Sequence, residues 1–147
     1  EVMGFNYGMT NINAGIGLGQ IRNLKKIITL KKKIHERYHK NFKDNNKIAF
    51  VNFEKKTNPN YWLNSLYLKN YDYYKLKKII KTLNSQGIQV RPLWFPCHKQ
   101  SFLKKFQRYS LINVNDYHKK ILCLPSSFFL KMKEIDYISN LIKKIVK

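Results

Sequence analysis

Cysteine is nearly absent from this chain, with two in 147 residues. Cys97 follows Trp94-Phe95-Pro96, and Cys123 stands between Leu122 and Leu124. That excludes a disulfide scaffold, and the apolar neighbours lead us to expect small, buried, reduced thiols in a cytoplasmic protein. Glycine and proline are also sparse, six and four, which excludes a collagen-like repeat. No run approaches the ~18 consecutive apolar residues of a membrane span, and neither a secretory leader nor a coiled-coil pattern is visible. Acidic residues number eight against 29 lysines and arginines, a formal net charge of +21. Such a charge attracts any polyanion, a nucleotide diphosphate included. The basic residues are nevertheless spread along the chain, and only Arg22, Arg37, Arg91 and Arg108 are arginines, the type preferred for bidentate contact with bases and phosphates. Neither nucleic acid nor a membrane is the expected partner.

What is present is material for a core. Hydrophobic residues make up 44% and aromatics 14%, and a chain of this length can bury about two-thirds of its unfolded surface without staples. One domain, or one domain with an extension, is expected. Thr10 or Asn11 can cap a long helix reaching about Phe42, along which Ile12, Ile16, Ile21, Leu24, Ile27, Ile28, Ile34, Tyr38 and Phe42 share one broad apolar arc. Its first turns carry Gly15, Gly17 and Gly19, each costing a helix about 1 kcal/mol against alanine. Close packing against something large would explain them. Residues 48–53 and 61–68 read as an antiparallel pair of strands around Thr57-Asn58-Pro59-Asn60. A helix from Asn70 with the stripe Tyr74, Leu76, Ile79, Ile80 and Leu83 should close at Gly87. Short strands at 88–91 and 121–124, irregular chain from Leu93 to Tyr109 and a terminal helix over 134–146 complete an α+β sandwich with a long helix in front.

His35-Glu36-Arg37-Tyr38-His39 matches H-E-x-x-H, the pairing of two imidazoles with a carboxylate that zinc hydrolysis uses. No third ligand motif follows, and His35 lies near the middle of the apolar arc, where a core histidine sits. No metal is expected. Gly15-Ile16-Gly17-Leu18-Gly19 follows no strand and has neither dinucleotide nor Walker spacing. Cys97 beside His98 has no second pair at zinc spacing.

The segment Arg91-Pro92-Leu93-Trp94-Phe95-Pro96-Cys97-His98 is stiffened by two prolines. A guanidinium, an indole and an imidazole held there suit an anionic, ring-bearing ligand. The other reading has Trp94 and Phe95 plugging a core and Arg91 as a solvated strand end. These residues do not decide between the two.

The opening run Gly4-Phe5-Asn6-Tyr7-Gly8-Met9-Thr10-Asn11-Ile12-Asn13-Ala14-Gly15-Ile16-Gly17-Leu18-Gly19-Gln20 resembles a signature of the DegT/DnrJ/StrS sugar aminotransferases. Gly87-Ile88-x-x-Arg91-Pro92 with His98-x-Gln100, and Leu122-Cys123-Leu124-Pro125-Ser126, resemble two later motifs of that family in the same order. Tyr61-Trp62-Leu63-Asn64 and Arg91-Pro92-Leu93-Trp94 resemble its branch acting on UDP-linked 4-keto-6-deoxy-N-acetylhexosamines. The resemblance implies the bridging helix (1–42) and the small C-terminal α/β sandwich domain (43–147) of a fold-type I pyridoxal 5'-phosphate (PLP) enzyme. It implies a homodimer that moves an amino group from glutamate to a UDP-linked keto-sugar for surface glycan synthesis. The lysine that holds the cofactor lies, in that family, in a large domain N-terminal to the signature, so no catalytic residue is expected here. Asn6 matches an asparagine reaching the cofactor phosphate of the neighbouring subunit. Arg91 and His98 match loop positions near the sugar nucleotide, and Trp94 between them is a further candidate for binding the substrate. Gly8 stands where the family often has arginine.

A chain opening on Glu1 and running at once into a strong helix start is expected to be a piece of a longer protein. Its rivals are a small basic nucleic-acid-binding module, and a truncated partner, inactive alone, of a complete aminotransferase.

Overall fold

The computed structural model describes residues 4–146; Glu1–Met3 and Lys147, the outer ends of the two expected segments, lie outside it. Helix α1 (Asn11–Arg22) is capped by Thr10, whose hydroxyl accepts from Asn13 N–H, and α2 (Leu24–Phe42) continues it. The long helix is interrupted at Asn23. There the backbone N–H turns to the Gln20 carbonyl at 3.1 Å and the side-chain amide takes over the Gly19 carbonyl, also at 3.1 Å. The interruption re-satisfies the backbone groups it disturbs.

The expected arc divides at this point. Ile34, Tyr38 and Phe42 of α2 are fully buried, whereas Ile12, Ile16, Ile21 and Leu24 are exposed. Gly15, Gly17 and Gly19 have no neighbouring atom within 4 Å of where a Cβ would stand. Among the described residues nothing covers the apolar side of α1.

Strands β1 (Ile48–Phe50), β2 (Asn64–Leu68), β3 (Arg91–Pro92) and β4 (Ile121–Leu124) form an antiparallel sheet in the order β1-β2-β4-β3. The first two strands are shorter than the sequence suggests, and β3 includes Pro92, tolerated because it lies on the sheet's edge. Leu66 stands opposite Leu122 and Tyr67 opposite Ile121. Leu66, Leu68, Leu122 and Leu124 join the core with α2, α3 (Tyr73–Ser85) and α5 (Met132–Ile145). Tyr67, on the other face, is covered by α4 (Ile112–Lys120): its hydroxyl donates to Asp116 at 2.7 Å and its ring meets Tyr117 edge-on.

Asp72 caps α3, and Gly87 ends it at φ +77°, the left-handed conformation expected of it. Leu76, Ile79 and Leu83 are buried as expected, but Tyr74 is 79% exposed. Tyr73, one residue earlier, packs against the core instead. Helix α4 was not expected. Asn113, Asn115 and Asp116 are poor helix formers, and contact with Tyr67 outweighs their preference.

The helices are clamped at α2–α5. Arg37 donates from Nε and Nη2 to the two carboxylate oxygens of Asp136, at 2.7 and 2.5 Å, and Asn41 donates to Asp136 Oδ1 at 2.9 Å. These bonds, the guanidinium foremost, hold the Asp136 carboxyl down to about 2. A depressed carboxyl stabilises the fold above its unfolded value and stops doing so as pH falls through the folded one. Chemical-denaturation midpoints of the chain should therefore fall between about pH 4 and pH 2, and Asp136→Asn should remove that part of the slope.

Candidate functional site

The aromatic cleft begins with a strained turn. Asn60 Oδ1 accepts from Trp62 N–H at 3.0 Å, and Tyr61 between them sits at φ 53°. This region is uncommon for a bulky residue and persists only where the surroundings impose it. Here the surroundings are aromatic. The Tyr61 ring lies 5.2 Å from His35 and 5.7 Å from Phe53, and His35 in turn meets Phe50 at 4.9 Å. His35 Nδ1–H donates to Asn64 Oδ1 at 3.0 Å. The first histidine of the H-E-x-x-H run is thus a buried core residue tied to β2, with its ring enclosed by aromatics.

The corner after β4 fixes the other wall. Ser126 Oγ donates to the Trp62 carbonyl at 2.5 Å, Lys31 Nζ donates to the Ser126 carbonyl at 2.8 Å, and Tyr38 OH donates to the Pro125 carbonyl at 3.2 Å. Burial lowers the proton affinity of Lys31 and pushes the Tyr38 hydroxyl well above its usual range. The Tyr38 hydroxyl therefore keeps its proton as a donor from α2.

Across from Trp62 stands Trp94. The two indoles are 5.7 Å apart at 52°, and each is 58% exposed. With Arg91, Gln89, Leu93, Phe95 and Ser126 they line a cleft of about 520 Å³. Strand register places Arg91 opposite Cys123, which itself lies opposite Ser65. Directly paired residues share a sheet face, so the exposed guanidinium stands over the Ser65–Cys123 floor. Burial raises the Cys123 thiol above its ordinary value, only partly offset by Ser65. It is a neutral lining group.

Trp94 and Phe95 are exposed, so they do not plug the core. The structure brings Arg91 and Trp94 together and puts His98 elsewhere. His98 Nε2–H donates to Asn115 Oδ1 at 3.2 Å, and Arg108 reaches the His98 carbonyl at 3.4 Å. These residues line a second cleft, of about 610 Å³, with Lys99, Lys104 and Tyr109 and no carboxylate. Cys97, expected to be buried, is exposed. Pro96 takes the inward place, and a single turn of 3-10 helix over Cys97–Lys99 swings the thiol outward. Asn6 lines neither cleft. It is exposed before α1, with Oδ1 accepting from Gly8 N–H at 2.8 Å. A Cβ at Gly8 would stand 2.9 Å from that oxygen.

Trp62 lines the cleft but was named in the sequence only within the Tyr61-Trp62-Leu63-Asn64 motif, not as a site residue. Its signal is the Asn58-Pro59-Asn60 turn beside two large aromatics, a place where side chains are aimed outward. Gln89 and Ser126 carry no comparable signal.

This arrangement is the C-terminal domain of an aminotransferase fold. Spr1654 of Streptococcus pneumoniae, described as a sugar aminotransferase and solved in its PLP form, matches with a TM-score of 0.84 at 22% identity, over 95% of this chain and 36% of that one. Residues 1–143 match the DegT/DnrJ/EryC1/StrS aminotransferase family, and the chain belongs to it. Among curated relatives, the GDP-perosamine synthase of Escherichia coli O157:H7 is 29% identical over 98% of this chain and 38% of its own length. The UDP-4-amino-4,6-dideoxy-N-acetyl-beta-L-altrosamine transaminase of Campylobacter jejuni is 20% identical over 99% of this chain and 39% of its own. The chain therefore spans under two-fifths of the length of these relatives. No helix among the described residues is long and apolar enough to cross a membrane.

His35 offers a test of this framework. Burial, foremost, lowers its proton affinity, so the unfolded chain binds the proton more tightly. Stability is then full at neutral pH and falls as pH drops below about 6.5, the ordinary histidine value. Urea midpoints measured down the acid side should show this fall, and His35→Gln should lessen it.

Proposed function

We propose that this chain is the C-terminal part of a PLP-dependent aminotransferase that moves an amino group from glutamate to a 4-keto nucleotide sugar in surface glycan synthesis. The observation carrying this reading is the cleft in which two exposed indoles face each other beside Arg91. An exposed indole face packs against a nucleobase or a sugar ring, and a guanidinium donates to a phosphate. The second cleft, with His98, Lys99, Lys104 and Arg108, adds cationic donors a few residues further along the same loop. Arg91, Trp94 and His98 are the substrate-binding residues of this proposal. A UDP-linked sugar is the favoured substrate because of the Tyr61-Trp62-Leu63-Asn64 and Arg91-Pro92-Leu93-Trp94 motifs.

In this reading 1–42 is the bridging segment and 43–147 the small domain. The open apolar side of α1 is what a large domain would cover, while the second half of α2 roots the bridge in the small-domain core. The complete enzyme is a cytoplasmic homodimer whose large domain supplies the lysine. The residues present fit the cofactor's phosphate at one point. Asn6 Oδ1 is engaged by Gly8 N–H, which leaves the carboxamide N–H groups for phosphate oxygens beside the N-terminus of α1. When bound, PLP carries the amino group between donor and keto acceptor. Asn6 would anchor its phosphate, and the cleft residues would orient the nucleotide.

Two measurements test the reading. UDP titrated onto the full chain should quench the emission of Trp62 and Trp94, its only tryptophans, and Arg91→Ala should weaken that binding about tenfold. Silence toward both UDP and GDP would remove the cleft from the nucleotide site. In the complete enzyme, Asn6→Ala should weaken cofactor retention by roughly 1–3 kcal/mol, the worth of a charged hydrogen bond. Unchanged PLP affinity would sink the role of Asn6.

A further inference from the structure

The cleft of about 610 Å³ beyond His98 gathers Lys99, Lys104 and Arg108 around Asn115 and Tyr109, with no carboxylate in its lining. The sequence accounts for that imbalance. No acidic residue stands between Asp72 and Asp116, a stretch that includes Arg91, Lys99, Lys104, Lys105 and Arg108. The two acids bounding it are engaged elsewhere. Asp72 caps α3 by accepting from Lys75 N–H at 2.8 Å, and Asp116 accepts from Tyr67 and pairs with Lys120. Like charges gathered in one cleft repel each other, and no acid of the lining offsets that repulsion.

The walls of this cleft are ordered by hydrogen bonds. Two consecutive 3-10 turns, Cys97–Lys99 and Ser101–Leu103, form one side; Lys99 ends the first and Lys104 follows the second. Lys99 N–H donates to the Pro96 carbonyl at 2.9 Å, and Leu103 N–H to the Gln100 carbonyl at 3.0 Å. Helix α4 forms the other side. His98 Nε2–H, donating to Asn115 Oδ1 at 3.2 Å, ties the first turn to that helix. Arg108 Nη1 folds back to within 3.4 Å of the His98 carbonyl, which holds its guanidinium along the cleft. With Oδ1 engaged, the carboxamide N–H groups of Asn115 are left as neutral donors.

We propose that this cleft binds a compact, multiply charged oxyanion, a phosphate or diphosphate group, and fills independently of the aromatic cleft. Lys99, Lys104 and Arg108 supply the charge. Arg108 also presents a planar fork that fits two phosphate oxygens at once. Asn115 adds a directional donor, and His98, whose Nε2–H is committed to that side chain, orients the amide instead of binding the anion. The aromatic cleft differs in kind, with one guanidinium beside two indoles. It suits a ring, whereas the second cleft suits charge alone. The inference does not rest on the nucleotide reading above.

Inorganic pyrophosphate is the probe. Titrated into the full chain in a calorimeter, it should bind as one equivalent, and Lys104→Ala combined with Arg108→Ala should weaken that binding at least tenfold. Both residues are exposed, so the helical signal of the double variant should match that of the wild type. A net charge of +21 calls for a control of equal charge. Lys47→Ala combined with Lys69→Ala removes two lysines from a smaller cleft, of about 310 Å³, and should change the affinity less than twofold. In nitrogen-edited NMR spectra the Asn115 side-chain amide should shift as pyrophosphate binds. Saturating pyrophosphate should leave the UDP midpoint, read from Trp62 and Trp94, within twofold. Equal weakening by the two double variants would reduce the binding to diffuse electrostatics and overturn the proposal. So would an absence of binding, or several weak equivalents with no shift at Asn115. Competition between pyrophosphate and UDP would merge the clefts into one nucleotide site and overturn their independence. Pyrophosphate bound as expected by a chain that ignores UDP would leave this site standing and defeat the nucleotide assignment.

Discussion

Three polar reaches from one helix set the geometry on which the cleft depends. Lys31, His35 and Tyr38 lie along α2 and end on the Ser126 carbonyl, the Asn64 side chain and the Pro125 carbonyl. Each partner borders the cleft or the strand beside it. Ser126 passes the constraint on, since its hydroxyl donates to the Trp62 carbonyl. The strained φ of Tyr61 is held by the same helix through contact of its tilted ring with His35. Because α2 is in turn locked to α5 by Arg37 and Asp136, one wall of the cleft inherits its position from two helices that share the core. The opposite wall, the Leu93–Pro96 loop, lies outside the sheet and has no such support from it.

Charge and aromaticity are divided between the two clefts. The first holds both tryptophans and one guanidinium; the second holds two lysines, an arginine and a histidine with no acid among its lining. Most of the chain's positive charge lies on neither and covers solvated helix faces, where lysine is cheaply hydrated. A net charge of +21 therefore says little about function until it is mapped, and the mapped part is a small fraction of it.

Legibility followed the strength of the local signal. Strand 121–124 was readable to the residue because four apolar side chains are closed off by Pro125, and the end of α3 because Gly87 supplies the left-handed φ. Helix α4 was not readable, since its stability comes from contacts of Tyr117 and Asp116 with Tyr67 rather than from its own residues. Tyr74 and Cys97 were misplaced for a shared reason: neighbours one position away, Tyr73 and Pro96, took the inward place. Composition identifies apolar residues but cannot set their phase in a short turn. For the candidate site, the proline-stiffened run drew attention to Arg91 and Trp94 but left a core role for Trp94 open until its exposure was known. The pairing of Trp94 with Trp62 needed the long-range corner at Ser126 and was not legible.

Helix α1 has a wider consequence. It carries three glycines, buries none of its residues and displays Ile12, Ile16, Leu18 and Ile21 to water. A helix of twelve residues with that composition is marginal in isolation, so its persistence depends on whatever it docks against. An apolar strip left in water on a loosely held helix is an aggregation and proteolysis liability, and any surface that covered it would shift the helix–coil balance toward the helix by mass action.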